Sequence, residues 1–197
     1  MSFKNNGYVI IKNIIPVNMA AFLYQYMRIK EQVKNTLIRD KKIYKWDTKW
    51  GGSDLQVPDA FSIYGDAAFD TLLQHIKPIM EKYTDLKLRE MYSYCRVYKK
   101  GNILHYHKDR GACEFSVTLN LGGDNWPFDI IDKDENKITV NMKPGDGIIY
   151  RGCDLEHGRT PFKGKECIQV FLHYNKLKDK KSPLLDGRPH LGIPYKC

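Results

Sequence analysis

The sequence predicts a mainly β protein with flanking helices, of the α+β class. From about residue 88 onward, short runs of alternating apolar and polar residues are separated by turns rich in Gly and Pro, which is typical of β-strands. Before that point, two longer segments repeat apolar residues at helical spacing. The 197 residues, 42% hydrophobic and 28% charged, suit a soluble globular domain and exclude a disordered chain.

The first half predicts one strand and two amphipathic helices. The segment GYVIIKNIIP, which starts at Gly7, is an initial strand and turn. Residues 17–40 and 66–84 are the helices, and Asp66 is the expected N-cap of the second. We expect the first helix to pack behind the strands. The apolar residues expected to pack inward are Phe22, Leu23, Tyr26 and Met27 in the first helix and Phe69, Leu72, Leu73, Ile76, Ile79 and Met80 in the second.

The segment between the helices, residues 40–65, has no sustained period and predicts a long ordered loop. It contains Gly51-Gly52 and Pro58, and it carries Trp46 and Trp50. Loops of this length in compact domains are often lids or binding loops, so both tryptophans are candidates for contact with a substrate. The alternative is a peripheral segment that only buries its aromatic side chains.

The second half holds the strands of the predicted β core. Tyr92, Tyr94, Arg96 and Tyr98 share one face of a strand that ends at a Lys-Gly turn, because side chains two apart on a strand point the same way. The other strands are expected within residues 113–123, 137–152 and 165–174.

A His-x-Asp pair and a later histidine form the candidate metal site. On a strand, His107 and Asp109 can bind one ion while Lys108 faces away, and His157 is the third candidate ligand. Two imidazoles and one carboxylate with open positions suit non-haem Fe(II) oxygenases, whereas four closed ligands would indicate structural zinc. A chance surface pair of His and Asp is the alternative explanation of the first two residues.

In their context, these residues resemble the Fe(II)/2-oxoglutarate-dependent dioxygenases, and within them the prolyl-4-hydroxylase-like group. The resemblance spans about residues 7–174 and is carried, in order, by Tyr98 and Gly101, by His107 and Asp109, by LNLGG, by Pro144-Gly145-Asp146 and by HGRTPFKGK from His157. It implies a double-stranded β-helix (jelly-roll, cupin-like) core, with Fe(II) bound by His107, Asp109 and His157. It also implies 2-oxoglutarate as cosubstrate, dioxygen as the oxidant and ascorbate as the reductant.

The resemblance further implies a basic residue that anchors the far carboxylate of 2-oxoglutarate. Lys165, on the segment after His157, is the first candidate. Arg159 is the second, because on an extended segment it shares the face of His157 and can make a bidentate carboxylate contact. Tyr98 could donate its hydroxyl to 2-oxoglutarate. If Lys165 points into the barrel, the inward residues of that strand are Cys167, Gln169, Phe171 and His173, and the outward ones are Ile168, Val170 and Leu172.

Two further residues are candidates for contact with the substrate or with the metal ligands. His105 shares a strand face with His107, so it could support that ligand, face the substrate or be structural. Arg96 lies on the tyrosine-bearing face of the earlier strand and is a candidate for the same roles. The structural reading of His173 is favoured over a catalytic one.

Domain organisation and location follow from composition. We expect a single domain over 1–197, with a helical and loop part over about 1–87, a β-helix core over about 88–175 and an irregular tail over 176–197. The odd, widely spaced cysteines predict reduced thiols. Without a signal-peptide pattern or a transmembrane run, the expected location is cytoplasmic, with no membrane partner.

The resemblance implies an enzyme, a 2-oxoglutarate-dependent hydroxylase of an unactivated C–H bond, with a peptidyl or free amino acid such as proline as the expected substrate. The net charge of +9 keeps nucleic acid open as a partner, and hence a nucleic-acid or modified-base oxygenase as an alternative. The other alternative is a non-catalytic, cupin-like metal-binding or sensing domain. These three hypotheses share one metal site.

Overall fold

The computed structural model describes residues 3–194, and they form three α-helices and eleven β-strands. The helices are α1 (Phe3–Asn6), α2 (Val17–Arg39) and α3 (Ala67–Thr84). The strands are β1 (Tyr8–Ile11), β2 (Gly52–Asp54), β3 (Val57–Tyr64), β4 (Leu88–Lys99), β5 (Leu104–His107), β6 (Phe115–Gly123), β7 (Phe128–Ile131), β8 (Lys137–Val140), β9 (Gly147–Tyr150), β10 (His157–Arg159) and β11 (Glu166–Lys176).

The strands form two antiparallel sheets. The larger sheet has seven strands in the order β1-β9-β6-β11-β4-β3-β2, and the smaller has four in the order β5-β10-β7-β8. Non-consecutive strands lie side by side in both sheets, so the chain crosses repeatedly between them as a jelly roll does. The predicted fold class, mainly β with flanking helices, is confirmed.

The two faces of the larger sheet carry different side chains. On β11, Ile168, Val170 and Leu172 join the cluster that packs α2 and α3 against the sheet. Cys167 and Phe171 point the other way, into a cluster between the sheets. This alternation is the one predicted for the strand, and it leaves polar side chains between the sheets free to build a site.

The predicted first strand and the two predicted helices are present as β1, α2 and α3. The predictions for the loop over residues 40–65 and for Phe22 need correction. Asp66 caps α3 by accepting a hydrogen bond from the backbone N–H of Ala68. The predicted loop over residues 40–65 instead contains the hairpin β2–β3, because β3 pairs with β4 and takes its register from that neighbour rather than from its own apolar pattern. Phe22, expected in the core, is 69% exposed, since it falls on the outer side of α2.

The cysteines of the described region, Cys95, Cys113, Cys153 and Cys167, are free thiols, while Cys197 lies outside that region. Over residues 3–194, no helix has the length and apolar character needed to span a membrane.

Candidate metal centre and its cavity

The three predicted ligands meet where two neighbouring strands of the smaller sheet end. His107 is the last residue of β5, Asp109 lies two residues further along the chain, and His157 is the first residue of β10. His107 and His157 are register partners in the antiparallel pair β5–β10. Side chains at such positions lie on the same face of the sheet, so a local pairing rule brings together residues fifty positions apart.

The donor atoms are close enough to bind one ion. The Nε2 atoms of His107 and His157 each lie 3.6 Å from Oδ1 of Asp109. One donor atom from each of the three residues can be chosen within 4.8 Å of the others. Donors that are each about 2.1 Å from a single ion lie roughly 3–4 Å apart, so these separations fit a shared cation.

Both imidazoles are oriented by the backbone. Nδ1 of His107 lies 2.8 Å from the carbonyl oxygen of His105, and Nδ1 of His157 lies 2.9 Å from that of Leu155. A carbonyl only accepts, so each Nδ1 carries the proton and each Nε2 presents its lone pair to the site. This arrangement is typical of metal-binding histidines, whose remaining N–H is held by an acceptor.

The carboxylate of Asp109 packs against Ser116 and Gly152, which we call the seat of Asp109. Its Oδ2 accepts a hydrogen bond from Oγ of Ser116 at 3.1 Å, and Ser116 is in turn 2.8 Å from Nδ1 of the buried His173. A Cβ added at Gly152 would meet Oγ of Ser116 at 2.9 Å and the carbonyl of Cys113 at 2.5 Å, with the carboxylate of Asp109 closer still. A glycine is therefore required beside this carboxylate.

The electrostatics keep the carboxylate ionised and the buried imidazole neutral. Burial alone would raise the pKa of Asp109, but the neighbouring imidazoles of His107, His157 and His173 more than offset it and hold that pKa well below its usual range. Burial lowers the pKa of His173 to about 4. With His173 neutral, its Nδ1–H can donate to Ser116 while Ser116 donates to Asp109.

Arg159 lies two residues beyond His157 on the same strand and is 1% exposed. It donates to the backbone carbonyl of Trp126 and, at 3.3 Å, to Oε1 of Gln169, while its Nε has no partner. Its guanidinium lies 5.0 Å from the ring of Trp126. No carboxylate forms an ion pair with it within residues 3–194, and burial lowers its pKa. A guanidinium without an anionic partner is costly to bury.

The structure corrects the position of Lys165. The residue precedes β11 and is exposed, and its backbone N–H donates to Oδ2 of Asp124 at 2.6 Å. Arg159 instead crosses from β10 to the inner face of β11, where it contacts Gln169. Tyr98, the register partner of Cys167, is fully buried close by. Arg159 and Arg96, the register partner of Gln169, are therefore the buried basic groups near the inner face of β11, and Lys165 is not one of them.

An open cavity of about 740 Å³ lies in front of the three ligands. Tyr64 and Tyr92 stack with ring centroids 4.6 Å apart and form part of its wall. Arg96 also lines it, as predicted for its face of β4, and so does His173. The end of β2 contributes Asp54, the turn after it contributes Gln56, and the C-terminal segment contributes Gly192 and Pro194.

Several residues singled out in the sequence are not among those that line this cavity. Arg159, Tyr98 and Lys165 belong to this group, and so do His105, Trp46 and Trp50. His105 is exposed, and only its carbonyl takes part in the site, through His107. Trp46 is 76% exposed and stacks on Tyr44 at 4.8 Å, and Trp50 is 38% exposed. The cavity is lined instead by the residues around Trp50, namely Thr48, Lys49, Gly51 and Gly52. The segment borders the cavity, but its tryptophans do not.

Sequence reasoning did not identify Ser116, Gly152 or Gln56. Ser116 lies on an apolar strand, where a serine carries no signal of its own. Gly152 follows an apolar strand and suggests only a turn. Gln56 lies in a segment with no recognisable pattern. Their roles come from contacts across the fold, which a pattern read along the chain cannot supply.

No protein-family model matches the sequence, and no curated protein matches it. Solved structures do match. A prolyl-4-hydroxylase from Pseudomonas putida superposes with a TM-score of 0.68 at 14% identity, covering 88% of this chain and 95% of that one. HygX from Streptomyces hygroscopicus, solved with nickel and 2-oxoglutarate, gives a TM-score of 0.67 at 11% identity over 92% of this chain and 87% of that one.

The viral collagen prolyl hydroxylase of Paramecium bursaria Chlorella virus-1, in its 2-oxoglutarate complex, superposes with a TM-score of 0.58 at 12% identity. The match covers 88% of this chain and 98% of that one. The chain has the fold of the Fe(II)/2-oxoglutarate-dependent oxygenases.

Proposed function

We propose that the protein is an Fe(II)- and 2-oxoglutarate-dependent dioxygenase in which His107, Asp109 and His157 hold the iron. The observation that carries the proposal is the convergence of two Nε2 lone pairs and an ionised carboxylate on one point, facing an open cavity. A donor set of two imidazoles and one carboxylate with open positions suits Fe(II) oxygenases. The oxygenase fold around it supports the same conclusion.

Arg159 is the proposed anchor for the far carboxylate of 2-oxoglutarate, and Tyr98 is a second contact. Arg159 is buried on the side of β10 that carries His157, and it lacks an acidic partner among the described residues. A guanidinium binds a carboxylate through two parallel hydrogen bonds, which gives the long cosubstrate a fixed direction. Burial raises the pKa of Tyr98, so its hydroxyl stays protonated and can donate.

With these groups bound, iron and 2-oxoglutarate supply the oxidising chemistry: one oxygen atom of O2 enters the substrate as hydroxyl, and 2-oxoglutarate becomes succinate and CO2. The protein's own residues bind, orient and exclude water. Ser116 and Gly152 hold Asp109, the backbone carbonyls hold the histidines, and Arg159 directs the cosubstrate. No side chain needs to act as a nucleophile. Ascorbate belongs in the assay as reductant.

The proposed substrate is a peptidyl or free amino acid such as proline. Tyr64, Tyr92 and Tyr94 line the cavity beside the ligands, and flat aromatic faces are the surfaces on which proline rings dock in Pro-rich recognition. The likeness to two prolyl hydroxylases points the same way.

Nucleic acid is the second candidate substrate, because the cavity is partly basic. Lys30, Lys49, Lys108 and Arg110 are among its lining residues. Basic groups beside aromatic rings are the combination that binds single-stranded nucleic acid. Lys30 and Arg110 are, however, paired with Asp66 and Asp186, which leaves less positive charge for phosphates and favours the amino-acid substrate.

The test is succinate formation from 2-oxoglutarate by protein purified without oxygen and reconstituted with Fe(II) and ascorbate. Prolyl peptides, free amino acids and nucleic acids are added as separate pools. Stimulation by one pool supports the oxygenase and identifies its substrate class. A wild-type protein that binds iron but forms no more succinate than Asp109→Ala would instead indicate the non-catalytic metal-binding module.

A further inference from the structure

Gln56 places a carboxamide between the candidate metal centre and a buried arginine. Its Nε2 lies 2.9 Å from Nε2 of His107, the atom that faces the metal position. Its Oε1 lies 3.1 Å from both Nη1 and Nη2 of Arg96. We propose that this carboxamide is a stand-in for a ligand's carboxylate, and that Arg96 is the receptor for a carboxylate bound to the metal. The inference rests on the proposed function.

The direction of each hydrogen bond is determined at both ends. Nδ1 of His107 carries the proton because it faces a carbonyl oxygen, so Nε2 is an acceptor. The amide nitrogen of Gln56 can only donate, which matches this acceptor, and its amide oxygen can only accept, which matches the guanidinium of Arg96. The reverse orientation would set donor against donor at Arg96.

A carboxylate fits this place better than the carboxamide once a cation is bound. A metal ion takes the lone pair of His107, so the N–H groups of Gln56 lose their acceptor and face a positive charge. A carboxylate has the same planar shape, offers an oxygen to the cation and offers its other oxygen to the arginine fork. Metal loading therefore weakens the contact of Gln56 and strengthens that of an incoming acid.

Arg96 is prepared to hold an anion. It is 3% exposed, it lines the cavity and its Nε has no partner. Nη2 pairs with Asp54, whereas Nη1 contacts only Gln56 and, at 3.1 Å, the hydroxyl of Tyr98. The guanidinium has five donors, so it can bind a second carboxylate through Nη1 without releasing Asp54.

Gln56 can be displaced at little cost. It lies in the two-residue turn between β2 and β3, and the residue is exposed apart from these contacts. An exposed side chain held by one hydrogen bond to an imidazole and two from a guanidinium gives up only about a few kcal/mol on release. The carboxylate that replaces it comes either from the 2-oxo acid end of 2-oxoglutarate or from the substrate.

The experiment is calorimetric titration of Ni(II)-loaded protein, in which no turnover competes with binding. The ligands are 2-oxoglutarate, 2-oxobutyrate (which has the 2-oxo acid end alone), L-proline and L-prolinamide. Gln56→Ala should tighten carboxylate binding. Arg96→Gln should weaken it by about 10–100-fold, the loss expected for hydrogen bonds to a charged group. Arg96→Lys, which keeps the charge but not the fork, should be intermediate and guards against misfolding of the first variant.

Gln56→Glu gives the clearest test, because it should change two affinities in opposite directions. Its own carboxylate should bind Arg96 and the metal, so Ni(II) affinity rises while the affinity for the competing carboxylate falls. Gln74→Glu, an exposed substitution of the same kind on α3, is the control and should change neither. If Arg96→Gln weakens the binding of 2-oxobutyrate, Arg96 binds the carboxylate of the cosubstrate. If it weakens the binding of L-proline more than that of L-prolinamide, Arg96 binds the carboxylate of the substrate. Either outcome supports the proposal.

Unchanged carboxylate affinities in the Gln56 and Arg96 variants, with wild-type protein that binds Ni(II) and 2-oxoglutarate, would overturn this inference and leave the proposed function standing. A wild-type protein that binds neither Ni(II) nor 2-oxoglutarate would overturn both.

Discussion

His107 and His157 face each other as register partners across β5 and β10, with their imidazole centroids 4.5 Å apart. The pair is set by backbone hydrogen bonding between two strands rather than by contacts of the rings alone. Removal of one ring should therefore leave the strands paired. This property makes the ligands suitable for substitution without loss of the fold.

Replacement of any ligand should abolish tight metal binding. We expect His107→Ala, Asp109→Ala and His157→Ala each to weaken Ni(II) or Fe(II) binding by more than the roughly 10–100-fold that loss of an outer hydrogen-bond partner causes. Calorimetric titration measures the affinity, and circular dichroism checks the fold. His75→Ala, on the exposed side of α3, is the matched control. Wild-type affinity in one ligand variant would remove that residue from the set.

Two substitutions distinguish Arg159 from Lys165 as the residue that binds the far carboxylate of 2-oxoglutarate. Arg159→Lys keeps the charge but loses the planar fork, so we expect the KM for 2-oxoglutarate to rise by about tenfold or more. Lys165→Ala should leave that KM unchanged, because its side chain is exposed. Steady-state succinate formation at varied 2-oxoglutarate gives both values. The opposite result, a raised KM in Lys165→Ala alone, would restore the sequence-based choice.

The seat of Asp109 can be disturbed without touching a ligand. Gly152→Ala adds a methyl group where the carboxylate and Oγ of Ser116 already lie, so Asp109 must shift. Ser116→Ala removes the hydrogen bond to Oδ2. We expect both to weaken metal binding by about 10–100-fold, as outer-partner changes do. Gly52→Ala, at a position without a positive φ where an added Cβ meets only Cγ2 of Thr48 at 3.7 Å, controls for a glycine substitution as such. Equal metal affinity in all three variants would show that the seat is not needed.

The C-terminal segment is fastened by a buried ion pair between Asp70 and Arg188. Both side chains are 1% exposed, and Nη1 of Arg188 lies 2.7 Å from Oδ2 of Asp70. Arg188→Met leaves the acid buried without its partner, which should lower the free energy of unfolding by about 3–5 kcal/mol. Urea denaturation of metal-free protein measures it.

The matched control is Lys87→Met, which breaks an ion pair whose lysine side chain is 80% exposed. Exposed pairs contribute at most about 1 kcal/mol, so this variant should unfold near the wild-type urea concentration. Similar decreases in the free energy of unfolding for Arg188→Met and Lys87→Met would mean that the buried ion pair contributes no more to stability than the exposed one.

The sequence predicts the parts of the fold and site that depend on local periodicity. It predicts that His107 and Asp109 meet, although β5 ends at His107 and Asp109 lies just beyond the strand. Period-two alternation puts Arg159 on the face of His157. The same rule separates Cys167 and Phe171 from their outward neighbours. These relations stay within one or two elements, so a pattern along the chain contains them.

The features that the sequence did not predict depend on contacts between distant elements of the fold. Lys165 had the right spacing after His157 but falls before β11, where the chain is still exposed. Gln56 contacts Arg96 and His107 only because β3 pairs with β4 and brings its turn to the cavity. Gly152 matters because of Asp109, forty-three positions earlier in the chain. Such contacts arise from packing between distant segments.

The central claim is best tested by the fate of molecular oxygen. Fe(II)-reconstituted protein is incubated under 18O2 with 2-oxoglutarate and the stimulating substrate pool, and succinate is examined by mass spectrometry. A dioxygenase at His107, Asp109 and His157 predicts one 18O atom in each succinate and one in the hydroxylated product, with neither formed by Asp109→Ala. Unlabelled succinate, or none from wild-type protein with bound iron, would contradict the account.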